Sequence, residues 1–106
     1  MKKALEELLN FRNERDWEQF HNPKDLAIAI CIESGELLEE FLWKKFEDAN
    51  LENIKKELAD IFAYSLLLAH KYNLDPEQIV LEKIRENKIK YPIDKSKGSA
   101  KKYNQL

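Results

Sequence analysis

Two pairs of acidic residues border the most apolar parts of this chain. Glu33-Ser34-Gly35-Glu36 follows the apolar run Leu26–Ile32, and Glu57-Leu58-Ala59-Asp60 precedes Ile61–Ala69, which only Ser65 breaks. Residues three apart share one face of an α-helix, so each pair of acids lies among apolar neighbours. A buried carboxylate is costly unless a cation pairs with it. These acids therefore restrict both the fold and the chemistry of the chain.

The helix signals predict an all-α fold. Only two Gly and three Pro occur in 106 residues, which favours helices with short links over a sheet-rich fold. Asn22-Pro23 and Asp75-Pro76 each combine an N-capping side chain with proline at the first helical position. We expect a four-helix bundle-like domain over residues 1–92 and a basic tail over 93–106. The predicted helices span residues 2–15, 23–45, 51–72 and 76–91.

The apolar runs also predict self-association. A stretch that is apolar all the way round a helix is typically buried on every side. A chain this short rarely buries two helices completely, so we expect a homo-oligomer. The lone Cys31 lies in the first apolar run and is interpreted as a small buried hydrophobe in a reducing cytoplasm. We expect no signal peptide and no membrane span.

Charge is unevenly distributed along the chain. The net charge is only −2, which argues against a general nucleic-acid surface. Residues 33–60 hold nine acids and four bases, whereas residues 88–106 hold six Lys and one Asp. An acidic centre with a basic tail would suit a metal ion and a polyphosphate. The alternative is a solvated helix face and a disordered tail.

The embedded acids favour a divalent metal site. No Arg or Lys shares their faces within one helical turn, so a cation is the natural compensation. An all-carboxylate site is hard and favours Mg²⁺, with Mn²⁺ possible, over Zn²⁺. Chance spacing in a chain with 20 acids remains an alternative. A di-iron bundle is weakly supported, because the Glu-x-x-His pattern occurs once, at Glu18–His21, in a predicted loop.

The acid pattern and its flanks resemble a known family. Glu-x-x-Glu, then about 20 residues, then Glu-x-x-Asp is similar to the metal-binding signature of the MazG-like all-α nucleoside triphosphate pyrophosphohydrolases. The segment Phe11–His21, Glu33–Leu37 with Trp43-Lys44, and Lys83 through Asn87 to Tyr91-Pro92 resemble the dCTP pyrophosphatases most closely. Two departures are a shorter link between helices two and three, and Leu8 where some dCTP-specific members carry His.

The resemblance implies a role for each matching position. Glu33, Glu36, Glu57 and Asp60 would hold Mg²⁺ and form the catalytic centre. The implied substrate-binding residues are Trp17 and Trp43 beside the base, and Lys83, Asn87 and Tyr91 at the phosphates or sugar. His21 is a further candidate for ligand contact. Both Trp residues could instead be core or interface aromatics, and the helix-four residues an ordinary exposed stripe.

The expected activity is hydrolysis of (deoxy)nucleoside triphosphates, dCTP above all, to the monophosphate and pyrophosphate. No nucleophilic triad is visible, and two Gly cannot supply a Gly-rich phosphate loop. Two rival hypotheses stay open. One is a non-catalytic helical interaction module, which would explain the apolar helices but not the acids within them. The other is the same reaction with another base, such as that of dUTP.

Overall fold

The regular structure of this chain is entirely helical. The computed structural model describes residues 1–106 and contains no strand. The helices are α1 (Lys2–Glu14), α2 (Pro23–Glu39), α3 (Leu51–Lys71), α4 (Pro76–Lys90) and the single turn α5 (Ile93–Ser96), with 3₁₀ turns at Glu18–Phe20, Phe46–Asp48 and Tyr103–Gln105. The all-α prediction is confirmed. No helix combines the length and the apolar character that crossing a membrane requires.

Side-chain caps set the starts of three long helices. The Oδ1 atom of Asn22 accepts a hydrogen bond from the backbone N–H of Asp25 at 2.9 Å. Asn50 and Asp75 accept equivalent bonds, at 3.1 and 3.2 Å, from the N–H groups three residues later. Each cap satisfies a backbone donor that has no partner inside the helix. The predicted starts of α2 and α4 are therefore confirmed.

The chain forms two compact units, Met1–Asn73 and Leu74–Leu106. In the first unit α2 packs along α3, and α1 packs on α3. Its buried apolar residues are Leu26, near the start of α2, and Leu66, Leu67 and Ala69, near the end of α3. This arrangement makes α2 and α3 an antiparallel hairpin. The second unit holds α4, α5 and the last turn, and the predicted division at residues 92 and 93 stays a prediction.

A single chain leaves part of both apolar runs exposed, so their complete burial against a partner subunit stays a prediction. Ile32 is 55% exposed, Phe62 is 54% exposed, and Cys31 is exposed rather than buried. Two helices that pack side by side cover only the residues that lie between them. The outward residues of each run are therefore left open.

The second helix ends earlier than the sequence predicts, at Glu39 rather than Lys45. The backbone N–H groups of residues 40, 41 and 42 donate to carbonyl oxygens three residues earlier, at 3.0 to 3.2 Å. Trp43 then takes a left-handed conformation with φ of 60°. Tighter turns followed by a left-handed residue end an α-helix, although the sequence here contains no Gly or Pro.

This helix end can be tested by two substitutions at Trp43. In a left-handed position Gly avoids the Cβ clash, so Trp43→Gly should be more stable than Trp43→Ala by about 1 kcal/mol. Inside a continuing helix the order would reverse by a similar amount, about 1 kcal/mol. Urea unfolding of both variants measures the difference. A more stable Ala variant would contradict the early end of α2.

Candidate metal centre and adjoining cavity

Three of the four predicted metal ligands converge between α2 and α3. The helix spacing places Glu33 and Glu36 on one face of α2, and the antiparallel hairpin places Glu57 opposite them. One carboxylate oxygen from each residue lies within 4.8 Å of those of the other two. Two helices therefore supply a group of three carboxylates that is close enough to share one cation.

Asp60 is not part of this close group, but it lies near it. Its negative charge contributes to the raised pKa of both Glu33 and Glu57. Asp60 also lines the cavity described below. It is one turn beyond Glu57 on the same face of α3, as the i, i+3 spacing requires. The structure therefore places Asp60 at the edge of the acidic group.

The four acids differ in burial. Glu33 and Glu57 are half-buried, and each has an Oε2 atom that is sealed from solvent and accepts no hydrogen bond. Glu36 and Asp60 are exposed, so the expectation that apolar neighbours bury all four acids is wrong for these two. They lie at the edge of the contact between α2 and α3, where the two helices no longer cover them. A bound cation would compensate a carboxylate oxygen that is sealed from solvent and accepts no hydrogen bond.

Burial and neighbouring acids raise the pKa values of Glu33 and Glu57. Burial, followed by the neighbouring Glu36, Glu57 and Asp60, raises the pKa of Glu33 to about 7. Burial and then Glu36 also raise the pKa of Glu57. No ion pair of the chain involves any of the four acids. An all-oxygen group of this kind fits Mg²⁺ or Mn²⁺ by its donor chemistry.

A cavity of about 240 Å³ adjoins the acids in the first unit. Asp60 belongs to its wall, as does Tyr64, one turn further along α3. Burial, Glu33, Asp60 and Glu36 raise the pKa of the Tyr64 hydroxyl, which places this residue beside the acidic group. The full lining is Leu8, Phe11, Arg12, Trp17, His21, Asp60, Ala63, Tyr64 and Leu67.

The aromatic part of the wall comes from the turn between α1 and α2. Asp16 takes a left-handed conformation with φ of 53°, which returns the chain toward α1. Trp17 then packs edge-on against Phe11, with 5.6 Å between ring centroids. His21 packs edge-on against Tyr64 at 6.4 Å. The turn thus brings an indole and an imidazole to the cavity beside the acids.

His21 is a neutral polar group in this wall. Burial, followed by the charges of Arg12 and Lys71, lowers the pKa of its imidazole. Its Nδ1 atom is sealed from solvent and has no hydrogen-bond partner in the chain. A neutral imidazole offers one donor and one acceptor. The cavity can therefore contact a flat polar ligand through both stacking and hydrogen bonds.

The family profile of the MazG-like proteins matches residues 28–106 of the chain. The chain belongs to the MazG-like family. The resemblance drawn from the acid pattern is therefore confirmed. Of the two helices that carry the acids, α3 lies within the matched range and α2 overlaps it. The aromatic turn of residues 16–21 lies before that range.

Known relatives extend the similarity to the N-terminal part of this MazG-like protein. Bovine dCTP pyrophosphatase 1 is 41% identical over 104 residues, which cover 91% of this chain and 62% of the relative. The human protein of the same name is 36% identical and is covered to 61%. The chain thus spans about three fifths of the length of these curated relatives. A pyrophosphatase of known structure from Archaeoglobus fulgidus is 36% identical, with a TM-score of 0.78 over 87% of this chain and 92% of that one.

The other predicted substrate-binding residues do not line the cavity. Trp43 is 94% exposed and lies beyond the end of α2. Lys83, Asn87 and Tyr91 belong to the second unit, where Lys83 pairs with Glu86 at 3.4 Å. Tyr91 is half-buried, and its ring packs edge-on against that of Tyr103 at 6.2 Å. Their roles at the base, phosphates or sugar stay predictions.

Two polar residues of the wall, Tyr64 and Arg12, are absent from the candidates that the sequence suggested. Tyr64 could have been found, because it lies four residues after Asp60 on the same helical face. The sequence pattern that would have identified Arg12 is weaker. This residue follows Leu5, Leu8 and Leu9 at the i+7 position of the apolar stripe of α1, which places it on the buried face.

The raised pKa of Glu33 predicts how stability depends on pH in the metal-free protein. Below about pH 4.5 this carboxyl is protonated in both the folded and unfolded chain, and above about pH 7 it is ionised in both. Between these values the folded chain holds more protons, so stability should fall as pH rises, by about 1 kcal/mol once solvent screening of this partly exposed carboxyl is allowed for. Urea unfolding in EDTA from pH 4 to 8 measures this fall.

The matched variant is Glu33→Gln, which cannot ionise. Its stability should change less between pH 4.5 and 7 than that of the wild-type chain, while Glu39→Gln, on an exposed part of α2, should follow the wild-type curve. Identical curves for wild type and Glu33→Gln would show that the acids do not repel one another in the folded protein.

Proposed function

We propose that this chain is a divalent-metal-dependent nucleoside triphosphate pyrophosphohydrolase. The observation that carries the proposal is the group of three carboxylates, with two sealed and unpartnered oxygens, beside an aromatic cavity. The pyrophosphatase names of the relatives support the reaction class. The reaction would convert a nucleoside triphosphate and water into the monophosphate and pyrophosphate.

The acids would hold Mg²⁺, or Mn²⁺ in its place. Glu33, Glu36 and Glu57 would be the direct ligands, and Asp60, one turn beyond Glu57, would complete the set. When bound, the ion withdraws charge from the substrate's phosphates and makes nearby water more acidic. The ion would also satisfy the sealed Oε2 atoms of Glu33 and Glu57. The donor set supports this choice because Mg²⁺ prefers carboxylate oxygens.

The chain's own groups would handle the proton and the leaving group. Water adds to the α-phosphorus, and the bond from that phosphorus to the bridging oxygen of the β-phosphate breaks. A carboxylate of the acidic group takes the proton of the attacking water. Lys83 and the lysines of residues 88–106 would neutralise the pyrophosphate that leaves, with Asn87 and Tyr91 at the phosphates or sugar.

The cavity supports recognition of the base in the first unit. Trp17 supplies a stacking surface, which is worth roughly 1–3 kcal/mol per base. His21 supplies polar atoms on the same wall. Trp43, which lies outside the cavity, would flank the base together with Trp17. We propose a preference for deoxycytidine triphosphates, with activity on other deoxynucleotides. Leu8 lies in the wall and offers the base no hydrogen bond, which weakens strict discrimination.

Self-association and location belong to the same proposal. The exposed apolar residues of α2 and α3, such as Ile32 and Phe62, support a homodimer or homotetramer in which a second copy covers them. The cytoplasm, where nucleotide pools are cleaned of unwanted triphosphates, is the proposed location. A non-catalytic helical module would not need acids whose oxygens lack partners.

The reaction class is tested by the products. Each common NTP and dNTP is incubated with the protein and Mg²⁺, and pyrophosphate and orthophosphate are measured separately. We expect pyrophosphate with the monophosphate, fastest from dCTP, and no release in EDTA. Orthophosphate alone would contradict the reaction, whereas pyrophosphate with dUTP or a purine preferred would contradict only the substrate.

The metal role is tested by Glu36→Gln. The change keeps the shape of an exposed side chain and removes a charge that repels Glu33 and Glu57, so the melting temperature in EDTA should hold or rise. Turnover should fall by about 100-fold or more, because even outer partners of a metal ligand are worth about 10–100-fold. Glu39→Gln, on the same helix, is the control. Full turnover of Glu36→Gln would show that these carboxylates are not catalytic.

A further inference from the structure

Arg12 is the one charged side chain that the chain buries. Its residue exposure is 5%, and it lies on the face of α1 that meets α3. Its Nε atom donates a hydrogen bond to Oδ1 of Asn13 at 3.1 Å. The nearest carboxylate is Glu18, whose Oε2 lies 3.6 Å from Nη2. A buried guanidinium usually has closer and more complete pairing than this.

The terminal nitrogens of Arg12 carry N–H groups that have no hydrogen-bond acceptor in the chain. Neither Nη atom donates a hydrogen bond within the chain, and neither is among the polar atoms sealed from solvent. Arg12 is among the residues that line the cavity, and its charge acts on His21 in the same wall. A guanidinium presents its N–H groups as a planar fork, which matches two neighbouring acceptor atoms on a flat ligand.

The side chain is not needed to hold the neighbouring turn. The backbone carbonyl of Arg12 accepts a hydrogen bond from the N–H of Trp17 at 3.1 Å, a bond that any residue at this position could make. Glu18 is 58% exposed and also pairs with Lys71 at 3.5 Å. The ion pair with Arg12 is thus long, shared with Lys71 and open to solvent on the Glu18 side.

We propose that Arg12 is a specificity-determining residue that donates hydrogen bonds to the acceptor edge of the base. This inference rests on the proposed function and identifies the base class. Cytosine presents two neighbouring acceptors, O2 and N3, which suit the fork. Uracil and thymine carry an N3–H donor at that place, which would face the donors of Arg12.

The test compares kcat/KM for dCTP and dUTP across matched variants with Mg²⁺. Arg12→Lys keeps the charge and loses the fork, so it should lower kcat/KM for dCTP by about 10- to 100-fold. The kcat/KM for dUTP should change little, so the ratio of kcat/KM for dCTP to kcat/KM for dUTP should fall by about the same factor. The loss should lie in KM more than in kcat, since the base is remote from the reacting phosphorus.

Two controls separate a contact with the base from support of the fold. Arg15→Lys makes the same change at an exposed arginine of the same turn and should keep the wild-type preference. Glu18→Gln removes the ion pair but keeps the fork, and should also keep the preference. If Glu18→Gln reproduces the loss, or if Arg12→Lys keeps the preference, the proposal is overturned. Melting temperatures show whether each variant is folded, and Arg12→Gln replaces the Lys variant if that one unfolds.

Binding of dCMP and dUMP by calorimetry tests the contact without turnover. Wild type should prefer dCMP, and Arg12→Lys should lose that preference. If wild type binds dCMP selectively but releases no pyrophosphate, the proposed function fails and the Arg12 contact stands. If wild type hydrolyses dCTP but Arg12→Lys still prefers dCMP, the Arg12 proposal fails and the proposed function stands.

Discussion

Repulsion between carboxylates across the α2–α3 hairpin is the constraint on which the rest of the first unit depends. Three acid side chains approach within 4.8 Å, and two of them keep an oxygen sealed from solvent without a donor. Such a group opposes folding unless protons or a cation neutralise it. A purely structural helix pair would gain stability by replacing these acids with apolar residues. Their presence is therefore most simply explained by a divalent ion and a charged substrate.

The same hairpin joins the acids to the cavity. Asp60 contributes its charge to the acidic group and its side chain to the cavity wall, and Tyr64 follows it one turn later. The turn after α1 completes the wall with Trp17, held against Phe11. One short unit of helices thus places an acidic group and an aromatic cavity side by side. This proximity suits a nucleotide better than it suits a free polyphosphate.

The sequence predicted those features that depend on local spacing. Capping side chains defined the starts of α2 and α4, and the i, i+3 acids placed Glu33, Glu36 and Glu57 on facing sides of two helices. It mispredicted the end of α2, because no Gly or Pro marks the left-handed Trp43. It also overstated the burial of Glu36 and Asp60, since the edge of a groove depends on which helices cover it. Arg12 escaped notice because a charged residue on an apolar stripe is ordinarily expected to reach solvent.

Binding of Mn²⁺ to the acidic group tests the central claim most directly. Mn²⁺ resembles Mg²⁺ in its preference for oxygen ligands, and its electron paramagnetic resonance signal distinguishes bound from free ion. The wild-type chain should bind Mn²⁺, Mg²⁺ should compete for the site, and Glu57→Gln should weaken binding by about tenfold or more. Glu52→Gln, at an exposed acid one turn earlier on α3, should bind as the wild type does. Absence of binding, or equal binding by Glu57→Gln, would contradict a metal centre between α2 and α3.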